Sequence, residues 1–389
     1  MKHVAIVIPG IDRIGGAERQ AMLLAEGLRD RDWRVSVVAL SGTGGSAAAE
    51  LQRSGVGFVS LEMRKGLADP RGWIRFHRWL KRERPDVVHA HLPHAAWMAR
   101  WSRLAADVPV VVDTLHSSSI GGRGRRIGYM CSRRLTDHVT AVSHAAMASH
   151  LAAGMVREEN LSVLANGIDV DAWEPDARTR AAVRRELGVT DDFLWIAVGR
   201  LEQVKDYPTL LRAFRWSRRK ARLVILGAGP MKAELTRLAG ELGLERRTRF
   251  LGFEPDVRRR MQAADGVVLA SRHEGLPMVL LEAGACGLPS VATDVAGTQE
   301  VIVDGVNGWL ARAGDVRSLA AAMERLMNAP FDKRREMSEC AKKLVTRRFG
   351  MAMVLDRWEE LYEELLCRES DAWRNRRKAE ESLRDRDAA

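Results

Sequence analysis

The 389-residue chain contains little cysteine and no long apolar run. Its cysteines are scattered without a C-x-x-C pair and lie at Cys131, Cys286, Cys340 and Cys367. This pattern excludes a disulfide-stapled secreted module and indicates reduced thiols. The longest run free of Asp, Glu, Lys and Arg, residues 138–156, holds three histidines and is too polar to span a bilayer. The apolar run Val4–Ile8 is too short for a signal peptide and predicts a buried strand, so we expect a cytoplasmic protein.

Two nucleotide-binding signatures are also absent. The chain has no G-x-G-x-x-G turn and no Walker A loop, and it contains none of the recognised nucleic-acid-binding modules. Its composition is 46% apolar and 29% charged, which is ordinary for a globular protein and sufficient for large cores. At roughly 100–200 residues per domain, the length predicts two or three domains.

Short runs rich in β-branched residues alternate with amphipathic stretches throughout residues 1–166. Such runs lack strict alternation, which predicts a parallel sheet buried on both faces by helices. The pattern restarts after a polar, turn-rich segment, and we therefore predict a linker over 167–189 and a second domain over 190–348. The expected fold class is α/β, with two Rossmann-like, doubly wound domains facing a central cleft, where such folds bind ligands.

The charge is distributed unevenly. The chain carries 62 basic and 51 acidic residues, a net charge of +11, and residues 1–166 account for +8 of it (23 Lys and Arg against 15 Asp and Glu). This excess favours an anionic partner, either nucleic acid, an acidic lipid surface or a phosphorylated substrate; the alternative is a solvated basic face. Segments 71–85 and 121–134 combine cations with apolar residues, as at an anionic membrane interface, unless the apolar residues of 71–85 belong to the core.

The segment SRHEGLPMVLLEAGACGLPSVATD (271–294) carries the clearest chemistry. Pro277 predicts the first turn of a helix, with Glu274 in the preceding loop and Glu282 inside the helix. Uncapped amides around 276–279 would form an anion site, and two carboxylates beside it suit sugar and ribose hydroxyls. Glu282 lies among apolar neighbours and needs a partner; the alternative is that it decorates a helix surface.

Two further segments contain candidate phosphate ligands. Arg200 follows a predicted strand and Lys205 lies five residues later, so both cations can neutralise a diphosphate at the sheet edge. Gly15 and Gly16 form a turn between the first strand and the first helix, where the backbone can approach a ligand and the helix terminus favours phosphate.

Taken together, these motifs resemble glycosyltransferase family 4. The resemblance covers about residues 1–365 and is carried by the segments Gly15–Arg19, His116, Asn166–Asp169, Gly199-Arg200 with Lys205, Gly227–Pro230, and Glu274-x7-Glu282. It implies the GT-B fold, a nucleotide-sugar donor, retention of the anomeric configuration and no metal or other cofactor.

The resemblance also implies site residues. Arg200 and Lys205 would bind the donor diphosphate, Glu282 the ribose hydroxyls and Glu274 the sugar hydroxyls. The backbone of Gly275, Leu276, Pro277 and Met278 would contact sugar and phosphate. Gly15 and Gly16 would line the diphosphate, and His116 would hydrogen-bond the sugar near the reacting carbon; the implied catalytic residues are His116, Arg200, Lys205 and Glu274. Residues 349–366 look like the helix that crosses back to the first domain, followed by a charged tail over 367–389.

Two patterns admit a metal-site interpretation. His89, His91 and His94 form H-x-H-x-x-H, but no carboxylate or cysteine cluster accompanies them, so we expect a polar wall on the acceptor side. Asp169 and Asp171 match the D-x-D pattern of metal-dependent sugar transferases but lie in the predicted linker.

We therefore predict a retaining hexosyltransferase that moves a sugar from a nucleotide diphosphate sugar, expected to be a UDP-sugar, to a glycan, lipid-linked or polysaccharide-precursor acceptor. Its basic amino-terminal half would place it peripherally at the inner face of the cell membrane. The enzymatic alternative is a nucleotide-sugar epimerase of the same architecture, and the non-enzymatic one is a basic nucleic-acid-binding protein.

Overall fold

The computed structural model describes residues 1–12, 14–64, 69–117, 120–217, 220–254 and 256–387, with side chains as far as residue 371. The chain divides into two compact units. The first comprises Met1–Gly167 and Ala352–Ala389, and the second comprises Ile168–Met351. Within the described ranges, no helix is both long enough and apolar enough to cross a membrane.

The strands and helices alternate along the chain. The strands are β1 (His3–Ile8), β2 (Arg34–Ala39), β3 (Gly57–Ser60), β4 (Val87–His91), β5 (Val110–Leu115), β6 (His138–Ala141), β7 (Leu161–Val163), β8 (Phe193–Val198), β9 (Ala221–Leu226), β10 (Thr248–Gly252), β11 (Gly266–Leu269), β12 (Ser290–Thr293) and β13 (Gly308–Ala311). The helices are α1 (Gly16–Arg29), α2 (Gly45–Arg53), α3 (Pro70–Glu83), α4 (Pro93–Ser102), α5 (Arg123–Cys131), α6 (His144–Ala152), α7 (Ala177–Leu187), α8 (Tyr207–Arg215), α9 (Lys232–Glu241), α10 (Val257–Met261), α11 (Met278–Ala285), α12 (Val316–Asn328), α13 (Phe331–Phe349) and α14 (Met351–Asp387).

The first unit contains a parallel sheet with strand order β3-β2-β1-β4-β5-β6-β7. Every residue of β1, β4 and β5 is buried, because helices cover both faces of the sheet. The chain proceeds outward from β1 to β3, then returns to β4 beside β1. Ligands of such sheets bind outside the carboxyl ends of the strands near this reversal.

The second unit repeats this architecture with strand order β10-β9-β8-β11-β12-β13, again all parallel. Its core includes the fully buried side chains of Trp195, Phe214 and Leu223. The reversal in strand order lies between β8 and β11. The predicted α/β class, with two Rossmann-like parallel sheets, is confirmed.

The boundaries differ from those predicted at the linker over 167–189. From Ile168 onward this segment belongs to the second unit, and Asp176 caps α7 by accepting hydrogen bonds from two amides of its first turn. Arg184 of α7 bonds the Asp265 carboxylate at 3.0 Å. The polar composition therefore reflects a solvated helix that is anchored by ion pairs rather than a connector.

Helix α14 packs on the first unit and continues into the predicted charged tail. Arg31 bonds Asp356 at 2.6 Å and Glu359 at 2.5 Å, and Gly27 leaves room for Leu355, since a Cβ there would lie 2.5 Å from a Leu355 methyl carbon. Residues 388 and 389 of the tail lie outside the described residues.

Candidate functional site

The candidate residues of the second unit meet at the carboxyl edge of its sheet. Strands β8 and β11 are neighbours that end at Val198 and Leu269, and the loops that follow them carry Lys205 and Glu274. Lys205 Nζ donates to Glu274 Oε1 at 2.5 Å, and both side chains are largely buried. A cation and a carboxylate therefore touch at the place where parallel sheets bind their ligands.

Glu274 is fixed by a polar network beneath its loop. The Ser271 hydroxyl donates to Glu274 Oε1 at 2.5 Å, while the Ser271 carbonyl accepts from the Thr293 hydroxyl at 2.5 Å. Gly297 packs directly under the loop, because a Cβ at this position would lie 2.2 Å from the Gly275 carbonyl oxygen. The carboxylate is thus held in place before any substrate arrives.

A second pair of charges joins the same two loops. The Arg272 guanidinium donates to the buried carboxylate of Asp206 at 3.0 Å, and the Arg272 amide donates to the Val204 carbonyl at 2.8 Å. Asp206 adopts φ = 44°, a left-handed conformation that turns the chain from Lys205 into α8. Lys205 is therefore held by the turn on one side and by Glu274 on the other.

Arg200 differs from Lys205 in its surroundings. Its side chain is 77% exposed, and its guanidinium pairs with Glu202 at 3.0 Å. Exposed ion pairs of this kind contribute little to stability, so the guanidinium can exchange Glu202 for another anion at low cost.

Helix α11 begins at Met278, directly after Pro277, which occupies the cap position. No side chain within the described part of the chain caps this terminus, so the backbone N–H groups of Met278 and Val279 in the first turn remain suited to an anion. Glu282 lies half-buried in the second turn of α11. Burial, together with the charge of Glu282, raises the pKa of the Cys286 thiol to about 12.

In the first unit, Gly15 caps α1 and Gly16 is its first residue, and both are exposed. The Gly15 amide donates to Glu18 Oε2 at 3.0 Å, so a carboxylate of the same helix already satisfies this amide. Gly15 has φ = −102°, which other residues also adopt. A glycine is useful at this position because it has no side chain, so that a ligand can approach the backbone closely, and not because the backbone conformation requires it. Arg13 of this turn lies outside the described residues.

His116 follows β5 and lies beside His91, the last residue of β4. His91 Nδ1 and His116 Nε2 are 2.8 Å apart, and the two rings are stacked with centroids 5.1 Å apart. Burial lowers the pKa of His116 to about 4 and holds the pKa of His91 well below its usual range. Both rings are therefore neutral near pH 7.

The His89 ring lies below this pair and faces α14. Its nitrogens lie 2.7 Å from the Tyr362 hydroxyl and 2.7 Å from the Thr114 hydroxyl, and burial holds its pKa well below 6.5. Tyr362 is fully buried, whereas the neighbouring Leu361 is only partly buried. His94 is half-buried in the first turn of α4.

The two metal-site interpretations find no cluster in the structure. Among the residues that can be described, no group of three or more His, Cys, Asp or Glu side chains is arranged to hold a metal ion. Asp169 is exposed and accepts from the Ala172 amide at 3.4 Å, and Asp171 opens a single 3-10 turn.

The aromatic residues of segment 71–85 lie in the core, which is one of the two alternatives that the sequence left open for this segment. Phe76 and Trp79 are buried in α3, and the partly buried Trp73 packs edge-to-face on Trp97 at 5.4 Å. In α5, by contrast, Ile127 is 62% exposed and Met130 is 38% exposed. The apolar residues of α3 have the spacing of an ordinary amphipathic helix that packs on a sheet.

The sequence interpretation missed Ser271, Asp206 and the pairing of His91 with His116. Ser271 lies at the start of the motif, three residues before Glu274, so its position near Glu274 in the sequence could have identified it as a site residue. Asp206 gave none, because its role depends on a left-handed turn and on Arg272 from another loop.

Comparison with known proteins gives concordant results. Residues 179–344 match the family model for glycosyl transferases group 1, and residues 14–172 match the model for Glycosyltransferase Family 4. The D-inositol 3-phosphate glycosyltransferase of Xylanimonas cellulosilytica is 31% identical over 329 residues, covering 79% of this chain and 72% of that protein. The UDP-Gal:alpha-D-GlcNAc-diphosphoundecaprenol alpha-1,3-galactosyltransferase of Escherichia coli is 24% identical over 311 residues, covering 76% and 80%.

The fold also matches a solved structure. The crystal structure of Anabaena Alr3699/HepE in complex with UDP and glucose superposes with a TM-score of 0.83 at 23% identity. The match covers 93% of this chain and 99% of that one.

Proposed function

Because the chain belongs to glycosyltransferase family 4, we propose that this glycosyltransferase uses a UDP-sugar donor, retains the anomeric configuration and needs no metal. The similar Anabaena structure contains UDP and glucose, and the name of the E. coli relative includes a UDP-sugar. The observation that carries the proposal is the contact between Lys205 and Glu274. It places a cation that can bind phosphate beside a carboxylate that can accept hydrogen bonds from hydroxyl groups.

The proposed chemistry assigns each group one task. As the bond from the anomeric carbon to the diphosphate breaks, Lys205, Arg200 and the amides of α11 stabilise the charge that develops on the leaving phosphate. Glu274 accepts hydrogen bonds from the sugar hydroxyls, and Glu282 accepts them from the ribose. The acceptor oxygen attacks the same face of the sugar, and its proton passes to the departing phosphate.

For Gly15, Gly16 and His116 of the first unit we propose the donor-binding roles that the family resemblance implies. The exposed glycines offer backbone approach to the diphosphate. His116 offers an uncharged ring to the sugar, which carries no charge itself.

The donor is tested by screening nucleotide sugars for thermal stabilisation, since a ligand at 100 times its Kd stabilises the native state by about 2.7 kcal/mol. The best binder is then assayed with acceptors in EDTA. We expect UDP-sugars to stabilise the chain and transfer to proceed at an undiminished rate. Loss of activity in EDTA with recovery in Mn²⁺ contradicts the metal-free proposal, and a changed free sugar without acceptor product indicates an epimerase.

For the acceptor we propose a glycan or lipid-linked molecule at an anionic membrane surface. Helix α5 presents the exposed cations Arg123, Arg125 and Arg126 together with Ile127 and Met130. Cations beside exposed apolar side chains suit the interface of an acidic bilayer, where each cation contributes about 1 kcal/mol. Arg133 and Arg134 of the next turn extend this basic surface.

Binding to acidic liposomes tests this surface. Replacing Arg123, Arg125 and Arg126 with glutamine should release the chain from the vesicles while UDP affinity stays unchanged. The matched control replaces three exposed arginines of the second unit, Arg237, Arg312 and Arg335, and should retain binding. A wild type that ignores acidic liposomes at low salt contradicts membrane docking and favours a soluble anionic acceptor, as the name of the inositol phosphate relative suggests.

A further inference from the structure

Two donors of the second unit meet on the same oxygen of Glu274. Lys205 Nζ donates to Oε1 at 2.5 Å, and the Ser271 hydroxyl donates to the same Oε1 at 2.5 Å. A carboxylate oxygen offers two lone-pair positions, so these donors occupy both positions on Oε1. A ligand that binds this carboxylate must therefore do so through its other oxygen, Oε2.

The Oε2 atom of Glu274 is open to a ligand. It has no hydrogen-bond partner among the residues that the structure describes, and solvent reaches it although the side chain is only 11% exposed. An unpaired carboxylate oxygen is costly when it is enclosed and is tolerated where water or a ligand can supply the missing hydrogen bonds. The two oxygens of Glu274 therefore differ in role, since Oε1 faces the protein and Oε2 faces the ligand edge.

The two donors on Oε1 differ in their freedom to move. Lys205 has a long, flexible side chain whose ammonium carries three N–H groups, and the bond to Glu274 uses one of them. Under the proposed function, the remaining N–H groups bind the donor diphosphate. The ammonium can therefore shift toward the phosphate when the donor arrives.

Ser271 lacks this freedom. It is fully buried just beyond β11, and its carbonyl accepts from the Thr293 hydroxyl at 2.5 Å. Thr293 is fixed in turn, because its own carbonyl accepts from the Thr298 hydroxyl at 2.7 Å. The Ser271 hydroxyl thus keeps its place whether or not the Lys205 ammonium moves.

We propose that Ser271 is a positioning residue that holds Glu274 Oε1 and thereby presents Oε2 to a hydroxyl of the donor sugar. This inference rests on the proposed function, in which Glu274 binds the sugar and Lys205 binds the diphosphate. Ser271 does not touch the donor. It keeps the Glu274 carboxylate from following the Lys205 ammonium toward the phosphate, so that Oε2 stays directed at the sugar.

Crystal structures of the wild type and of Ser271→Ala, both without ligand, test the orientation of the carboxylate. The substitution removes a single buried oxygen atom, so we expect the variant to fold. In the wild type, Ser271 Oγ should lie within hydrogen-bond distance of Glu274 Oε1, and in the variant the carboxylate should turn so that both oxygens approach Lys205. A carboxylate that keeps its orientation in the variant overturns the proposal, whether or not a nucleotide sugar binds. This outcome is therefore distinct from a failure of the proposed function, which the binding screen detects in the wild type.

Calorimetry with a UDP-sugar and with UDP separates positioning from packing. We expect Ser271→Ala to weaken the binding of the intact UDP-sugar about ten-fold and to leave the affinity for UDP unchanged, because UDP lacks the sugar. In a Glu274→Ala background, Ser271→Ala should have no further effect, since no carboxylate remains to be positioned. Equal losses for the two ligands, or the same loss in the Glu274→Ala background, overturn the proposal.

Ser290→Ala is the matched control. Ser290 is a buried serine of β12 in the same sheet, and it pairs with Val267 of β11. We expect this variant to lose a buried hydroxyl beside the same strand and to keep its affinity for the UDP-sugar. A ten-fold loss in Ser290→Ala would show that removing any buried hydroxyl near β11 disturbs the site, which contradicts the positioning role of Ser271.

Discussion

The carboxyl edges of the two sheets differ in charge although the sheets share one topology. At the edge of the second unit, Lys205 meets Glu274 and Arg272 meets Asp206. At the edge of the first unit, His91 meets His116, and burial keeps both rings neutral. The same arrangement of strands thus supports a charged site in one unit and an uncharged site in the other.

This difference separates what the fold provides from what the side chains provide. Parallel strands supply the edge, the loops and the helix termini, whichever residues fill them. Cations at such an edge suit a diphosphate, and neutral donors suit hydroxyl groups. The first unit also contains a buried pair of charges, Arg100 and Asp113, 2.5 Å apart.

The largest expected effect concerns that buried pair. Arg100→Leu leaves the Asp113 carboxylate unpaired in the core, and breaking such a pair costs about 3–5 kcal/mol of unfolding free energy. The Arg100 guanidinium also stacks 3.8 Å from the Tyr129 ring centroid, so α5 should loosen as well. Urea denaturation with hydrogen exchange on β4 and β5 measures the loss.

The double variant Arg100→Leu with Asp113→Leu is the control for this experiment. It should recover much of the stability, because no charge is left alone. The exposed pair of Arg237 and Glu241 in the second unit should cost only about 0–1 kcal/mol when broken. Similar losses in the two units would contradict the contrast between buried and exposed charge.

Removing the Lys205 cation from the carboxyl edge of the sheet in the second unit should chiefly affect catalysis. We expect Lys205→Ala to lower kcat about 100–1,000-fold, because one preorganised charge at the leaving group is lost. Lys232→Ala, at an exposed lysine of the same unit, should leave kcat unchanged. A Lys205→Ala enzyme with normal kcat and weaker UDP binding would show that Lys205 contributes only uniform binding.

The neutral histidines predict a pH dependence confined to the first unit. Burial lowers the pKa values of His89, His91 and His116, so the folded chain does not take up the protons that the unfolded chain binds below about pH 6.5. The stability is complete above pH 6.5 and is lost as the pH falls toward 4, with a slope of at most about 1.4 kcal/mol per pH unit for each histidine.

Hydrogen exchange at pH 7 and pH 5 checks this dependence in each unit. The second unit contains one histidine, the exposed His273, and should show no matching loss over this range. His91→Asn should reduce the slope in the first unit. A loss of equal size in both units would mean that carboxylates, rather than the histidines, control the stability there.

The smallest expected effect distinguishes the two carboxylates of the second unit. Glu282→Gln should weaken the binding of UDP about ten-fold, since Glu282 is assigned to the ribose. Glu274→Gln should weaken the binding of the intact UDP-sugar more than that of UDP. Calorimetry with both ligands measures the difference, and equal loss of UDP in the two variants would show that the assignment is wrong.

Much of this organisation could be predicted from local patterns. Runs of β-branched residues such as Val4–Ile8 predicted buried parallel strands, because period and composition act over a few residues. The Glu274-x7-Glu282 motif and the pair of Arg200 and Lys205 lie within short segments and could be placed on loops and helix termini. The linker prediction was less successful, since the polar residues of α7 form a helix that is anchored by Asp265.

The sequence by itself determined which residue types stand at the ends of the strands, because each motif directly follows a strand that its own apolar residues define. Only the tertiary structure decided which side chains touch. Lys205 and Glu274 are 69 residues apart, and His91 and His116 are 25 apart, so their contacts depend on strand order and register. The same holds for Phe76 and Trp79, since an amphipathic spacing alone does not distinguish a sheet from a membrane as the surface that covers it.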